Sequence, residues 1–219
     1  MNLPCPRPQA TRLPGRYVDL LALNVTHAAD LFAASHDAQA AERFRYLFED
    51  APANVAALQQ WLQHVQASDD PLYFAVRDRR TQKIIGRQAL MRVTPAHGVI
   101  ELGSIYWGLT MARTRRATEA FYLHARYVFD ELGYRRLEWK CNNKNEPSKK
   151  AAIRFGFQFE GIFRQHMWIK NENRDTAWFA MLDKDWPQIK KEFERWLAPE
   201  NFDQNEQQIT PLRINAATN

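Results

Sequence analysis

The sequence predicts an α/β protein of the α+β kind: a mixed, mostly antiparallel twisted sheet of about seven strands, with one central βαβ unit flanked by helices. Three observations predict it. Residues 98–108, 115–132 and 135–141 read strand, helix, strand, and such a crossover is parallel and right-handed. Strand patterns joined by short turns at 72–95 and 157–186 read as hairpins, which are antiparallel. Amphipathic helical patterns before, between and after these supply covering layers.

Residues 1–15, opening MNLPCPRPQ, are proline-rich without apolar periodicity and are expected to form an irregular arm. YVDLLALN (17–24) alternates and reads as a strand. THAADLFAASH (26–36) reads as a short helix with Thr26 as its N-cap, the hydroxyl serving the first free N–H groups. AERFRYLFEDAP (41–52) passes from helical to loop. NVAALQQWLQHVQAS (54–68) puts Val55, Leu58, Leu62 and Val65 on one face, with Asn54 as cap. LYFAVRD (72–78) and KIIGRQALMRVTP (83–95) flank the turn RRTQ. GVIELGSIYWG (98–108) is largely apolar on both faces, as a central strand requires. The helix from 115 ends at Gly133, a residue that adopts the left-handed terminal conformation without a Cβ penalty. RRLEWKC (135–141) reads as a buried strand. NEPSKKAAIRFGF holds a short helix capped by Asn145, with Pro147 in its first turn and Gly156 stopping it. FQFEGIFRQHMWIK and RDTAWFAMLDKDW are two long strands joined by the turn NEN, and WPQIKKEFERWL is a final helix. A single domain is expected over 16–198, followed by a polar tail at 199–219.

Composition narrows the function classes. Hydrophobic residues make up 45% of the chain, enough for a packed core rather than disorder. No apolar run reaches the roughly 20 residues a membrane helix needs, and the N-terminus lacks the apolar core of a secretory signal. The two cysteines, Cys5 and Cys141, suggest neither a disulfide framework nor a metal site, and the six histidines show no metal spacing. No metal is expected, and a reducing cytoplasm is the default location. The net charge of +5 favours an anionic partner. Nucleic acid is not favoured, because no Cys/His finger or RNP-type motif appears.

The positive charge is concentrated at 113–116 and 149–154. The stretch ARTRRATEA (112–120) crowds Arg113, Arg115 and Arg116 against the start of a helix. A helix N-terminus offers free N–H groups and a partial positive charge, and arginine adds bidentate contacts, so the stretch suits a phosphate. The other reading is a solvated helix start.

Element order and motifs together resemble the GNAT acetyltransferase superfamily, and within it the RimJ/RimL-type branch, over roughly residues 15–187. The residues that carry the resemblance are the glutamate-bearing strand IELGSIYWG and the basic turn running into TEA. N-x-x-S at 145–148, GF-x-x-EG-x-x-R at 156–164 and an aspartate-bearing final strand complete it. The family's phosphate loop usually reads Q/R-x-x-G-x-G/A. Here Ala112, Arg115 and Ala117 stand at its marked positions, so the loop lacks its glycines.

The resemblance implies a GNAT fold whose βαβ unit binds the cofactor, an amine acceptor, and acetyl-CoA as co-substrate without a metal. It puts the coenzyme phosphates on Arg113, Thr114, Arg115, Arg116, Ala117 and Thr118. It runs the pantetheine arm along the backbone of Gly103, Ser104, Ile105 and Tyr106, with Asn145 holding that arm. Lys149, Lys150 and Arg154 either add charge near the cofactor or form a solvated helix face. Glu101 is the candidate general base, since a carboxylate between apolar neighbours is partly desolvated; the alternative is a buried carboxylate paired to an arginine. Ser148 is the candidate donor to the departing thiolate, or simply part of the helix cap. Tyr106 and Trp107 are acyl-pocket or core residues. Cys141 and His124 read as core, and Asp175 is expected to anchor an arginine such as Arg164. The acceptor site in this fold lies between the first helices and the last hairpin, which points to RFRYLFED (43–50) and RQHMWIKNENRD (164–175). The acceptor is a protein N-terminus or a small-molecule amine. A non-catalytic acetyl-CoA sensor is the alternative to an enzyme, and both monomer and homodimer are open.

Overall fold

The computed structural model describes residues 3–37 and 40–214. Among them eight strands form one sheet: β1 (Leu13–Pro14), β2 (Val18–Ala22), β3 (Leu72–Asp78), β4 (Ile84–Thr94), β5 (Val99–Trp107), β6 (Arg136–Asn142), β7 (Gln158–Ile169) and β8 (Glu172–Leu182). Their spatial order is β1-β2-β3-β4-β5-β6-β8-β7. Only β5 and β6 are parallel; every other neighbouring pair is antiparallel. The expected fold class and βαβ unit are therefore present. The eighth strand is β1, a two-residue pairing inside the stretch expected to be irregular.

Among the described residues six α-helices cover the sheet: α1 (Ala28–Ser35), α2 (Ala40–Phe44), α3 (Val55–Val65), α4 (Arg115–Arg126), α5 (Glu146–Arg154) and α6 (Trp186–Leu197). α4 continues through a π-helical turn at Tyr127–Glu131 and ends at Gly133, whose φ is +69°. The first helix begins differently from expectation. Asn24, not Thr26, accepts from the N-terminal N–H groups, and it caps a short 3-10 turn at Val25–His27 that leads into α1.

Strand alternation divides the core. Phe74 and Val76 on β3 join Leu90, Ile100, Leu102 and Leu137 in the cluster that packs on α4 and α6. Ala75, between them, faces the other way and joins Leu58 and Leu62 of α3 and Leu31 of α1. The second face is thus covered by α1 and α3 only near β2 to β4. Over β5, β6 and β8 that face carries charged and aromatic side chains instead.

The arm and tail are more ordered than expected. Cys5 N–H donates to the Pro95 carbonyl, and Tyr134 Oη donates to the Pro6 carbonyl. After α6 the chain folds back, with Trp196 Nε1 donating to Gln208 and Asn201 bonding to Thr210. The ends of both segments, residues 1–2 and 215–219, lie outside the described residues.

Candidate active site

β5 and β6 pair only from Val99 to Glu101 and from Arg136 to Glu138. Beyond that point the two strands part, and the edge of β5 facing β6 has no strand partner. A cavity of about 220 Å³ opens at the divergence. Its wall includes Glu101, Gly103, Ser104 and Ile105 on β5, and Lys140 and Cys141 on β6. Asn145 and Ser148 of α5, the segment after α2, and His166 and Arg174 of the last hairpin close it.

Three backbone irregularities aim side chains at this cavity, and each is pinned by a side chain. On β4 the register shifts between Met91 and Thr94. Arg92 sits there at φ +48°, and the Asp70 carboxylate accepts from the N–H groups of Arg92 and Val93 at 2.7 and 2.9 Å. On β5 the register shifts opposite Arg87 to Ala89, with Ser104 at φ +47°. The buried Arg87 guanidinium donates to the Ser104 carbonyl at 2.6 Å and pairs with Glu49. On β7 the register shifts between Phe163 and Met167, with Gln165 at φ +51°. Asp175 accepts from Gln165 N–H at 2.8 Å and from the Asn173 amide. These two bonds hold the Asp175 carboxyl below its usual range. Asp175 thus pins a bulge next to His166 and makes no ion pair with Arg164. Bulges re-aim side chains near functional sites, and no sequence pattern announces them.

Glu101 is only 3% exposed, and it is a paired carboxylate rather than a lone desolvated one. Arg92 Nη1 lies 2.8 Å from one oxygen and Lys140 Nζ 2.8 Å from the other. The lysine contact is close enough for a strong ion pair but is poorly angled for a hydrogen bond. Lys140 also reaches Glu138 at 2.6 Å, and Arg136 joins Glu138 to Glu160. A row of alternating charges therefore runs from β4 to β7 across the uncovered face. The expectation that Glu101 sits paired to an arginine is the one the geometry fits. The signal for its second partner was present in the sequence. R-L-E-W-K-C alternates charged and apolar residues strictly over 136–141, which gives a strand one charged face.

Ser148 and Asn145 do reach the cavity. Asn145 caps α5, accepting from Ser148 N–H at 3.1 Å. Trp139 Nε1 donates to Ser148 Oγ at 3.0 Å. Cys141 is buried beside Ser148, and burial pushes its thiol pKa up, which disfavours the thiolate a covalent carrier would need. His166, passed over in the sequence, is exposed in the cavity wall. Its Nδ1 lies 2.9 Å from Thr176 Oγ1, which leaves Nε2 without a protein partner among the described residues. His124 is fully buried near Gln88, as a core histidine.

The arginines at the start of α4 are largely committed. Arg116 is buried, with Nε 2.8 Å from Asp78 and Nη1 2.7 Å from Glu206. Arg115 lies over the rings of Tyr17 and Phe202 and pairs with Glu206 at 2.9 Å. This corrects the expectation that both side chains await a phosphate; the C-terminal segment supplies their counter-ion. Arg113 remains exposed, at φ +64°, without an acidic partner among the described residues. Thr114 caps α4 by accepting from Arg116 N–H, while Ala117 and Thr118 are buried. Lys149 pairs with Glu146 one turn away, and Arg154 donates to Thr118 and lies over Trp196. Tyr106 lies outside the cavity wall and its ring is buried against Phe44, so of the acyl-pocket and core readings its side chain takes the core one. Trp107 also packs inward, on Phe155, and its Nε1 donates to Gln88.

Among the described strands the single parallel pair splays beside the N-terminus of α5. Comparison with known proteins identifies the family. Residues 18–158 match the acetyltransferase (GNAT) domain, and the chain belongs to that family. A GCN5-related N-acetyltransferase from Brucella melitensis is 55% identical, with TM-score 0.94 over 96% of each chain. YjcK of Bacillus subtilis, named a probable N-acetyltransferase, is 25% identical over 79% of this chain and 98% of its own. Two other curated relatives are matched over only 63% and 61% of their length. The ribosomal-protein-S5-alanine acetyltransferase of Vibrio fischeri shares the fold at 16% identity, with TM-score 0.61 over 80% of this chain and 98% of that one. Among the described residues no helix is long and apolar enough to cross a membrane, and no cluster of metal-ligating side chains occurs.

Proposed function

We propose that this chain is an acetyl-CoA-dependent N-acetyltransferase, moving an acetyl group to a primary amine by direct attack in a ternary complex. The observation that carries the reading is the break between β5 and β6. The free edge of β5 from Leu102 to Ile105 is a run of backbone donors and acceptors without a strand partner, and an extended amide-bearing arm can pair with it. The first N–H groups of α4 lack helical partners and suit a pyrophosphate even without glycines, and Arg113 stands exposed beside them. Acetyl-CoA, when bound, supplies the activated acetyl thioester.

The chain's own residues hold and move protons. An alkyl ammonium keeps its proton to about pH 10, so a group in the wall must take it. Glu101 already answers two cations, whereas His166 has an unpaired ring nitrogen; the geometry favours His166 as acceptor and Glu101 as the anchor of Arg92 and Lys140. Ser148 Oγ receives the Trp139 N–H and keeps its own proton to donate to the leaving sulfur. The buried, undissociated Cys141 favours direct transfer over an acetyl-cysteine. Resemblance to the RimJ/RimL branch supports a protein N-terminus as acceptor. A small-molecule amine is the other acceptor class, and the cavity beside Ser104 has room for one.

Thiol release from acetyl-CoA over a panel of amines tests the reading. Ser148→Ala and His166→Gln are expected to lower kcat by about 10²-fold or more while coenzyme A affinity is kept. Coenzyme A binding without turnover on any amine points to a sensor, and no binding at millimolar coenzyme sinks the assignment.

A further inference from the structure

Four cations line the cavity at the β5–β6 divergence: Arg43, Arg92, Lys140 and Arg174. Three have carboxylate partners. Arg43 meets Asp37 at 3.3 Å, and Arg92 and Lys140 share Glu101. Arg174 has none among the described residues. It is 8% exposed, touches Thr176 Oγ1 through Nε at 3.4 Å, and lies over the Phe48 ring at 4.9 Å. A buried guanidinium without an anion is costly, because desolvation is not repaid by a partner. The same wall holds Trp178, whose buried indole N–H also has no acceptor. The wall therefore has unmet donors and one unmet positive charge.

Arg174 also stands at a junction. A second cavity, of about 610 Å³, shares Tyr46, Asn142 and Arg174 with the first and continues between α2 and the tip of the last hairpin. A molecule held at Arg174 can direct one end toward β5 and keep its bulk in the second cavity. One unpaired guanidinium balances a single negative charge, and its planar fork matches a carboxylate in two-point contact.

We propose that the acceptor is a small amine bearing one carboxylate, of the amino-acid kind, and that Arg174 binds that carboxylate while the amine points to the Ser104 end of the cavity. This rests on the acetyltransferase reading and names its substrate class. Arg174 lies on the hairpin side, away from the α4 N-terminus, so its anion is the acceptor's and not a coenzyme phosphate.

The test compares matched amines: amino acids, including ω-amino acids of increasing spacing, against the corresponding amides and decarboxylated amines. The wild-type enzyme is expected to favour a carboxylate-bearing member by about 10- to 100-fold in kcat/KM, the range of a charge-assisted pair. Arg174→Met abolishes that preference with coenzyme A affinity unchanged. Arg174→Lys, which keeps charge and bulk, restores part of it, and melting temperatures confirm that both variants fold. Turnover of amides and decarboxylated amines as well as of the acids overturns this inference and leaves the acetyltransferase reading standing. So does weakened coenzyme A binding in Arg174→Met, which would assign the anion to the cofactor. Absence of both coenzyme binding and turnover overturns the two together.

Discussion

His124 is fully buried on α4 against Phe74 and Gln88, and burial pushes its pKa down to about 3. An unfolded chain holds histidine near 6.5, so below that pH the unfolded state takes a proton the native state refuses. The stability is fully present above pH 6.5 and is lost progressively toward pH 3. From pH 7.5 to 5.5 the loss is about 1.4 kcal/mol by linkage. His27, also lowered by burial, adds in the same direction. Urea melts should therefore show a slope that is reduced in His124→Gln, whatever that variant's absolute stability. Asp19, whose pKa is lowered by Arg77 and Arg12 against its burial, titrates below this window. Arg113 offers a second residue-scale check. A non-glycine side chain at φ +64° costs on the order of 1 kcal/mol. Arg113→Gly should recover up to about that much in a denaturant melt, while raising the dissociation constant for coenzyme A.

At the scale of elements, α4 is tied to the start of β2 by one side chain. Glu119 accepts from the N–H groups of Arg16, Tyr17 and Val18 at 2.6 to 2.7 Å. Burial nevertheless leaves its pKa raised overall, the desolvation outweighing those bonds. Glu119→Ala would strand three amides around a buried gap and should cost about 2–4 kcal/mol. A shift of the urea midpoint of less than about 1 kcal/mol equivalent would show that water replaces the carboxylate. The contrasting case is Glu206, which is partly exposed although it meets Arg80, Arg115 and Arg116. Glu206→Gln should cost no more than about 1 kcal/mol, because solvent screens such pairs.

For the whole molecule, the sheet sets what can be bound where. Helices cover both faces only between β2 and β4, and the bare half of the second face, framed by the α2 segment and the last hairpin, holds the cavity. β7 forms the outer edge, with Trp168 72% exposed. Coenzyme binding should stabilise the fold as a unit. Acetyl-CoA at 100 times its dissociation constant adds about 2.7 kcal/mol, or about 5–10 °C in melting temperature for a chain of this size. A scan with and without coenzyme checks this, and an unchanged melting temperature at millimolar acetyl-CoA removes the proposed site.

The sequence by itself determined the class of fold, nearly every element and the family. Those follow from local signals: the two-residue period of strands, the caps at Asn54 and Asn145, the stops at Gly133 and Gly156, and the order of motifs from IELGSIYWG onward. The cap at Asn145 is fixed by its own neighbours, and the resemblance pointed to Ser148 and to the two segments that help frame the cavity. Only the tertiary structure decided which charges are free. Arg115 and Arg116 meet Glu206 some 90 residues away, Glu101 meets Lys140 across the parallel pair, and Arg174 forms no ion pair among the described residues. An ion pair depends on where two distant strands cross, and a bulge on one extra residue in a ladder. The period of a strand shows which side chains share a face but not which distant partner they meet, which is why the arginines of α4, the pairing of Glu101 and the free ring nitrogen of His166 could be sorted only in three dimensions.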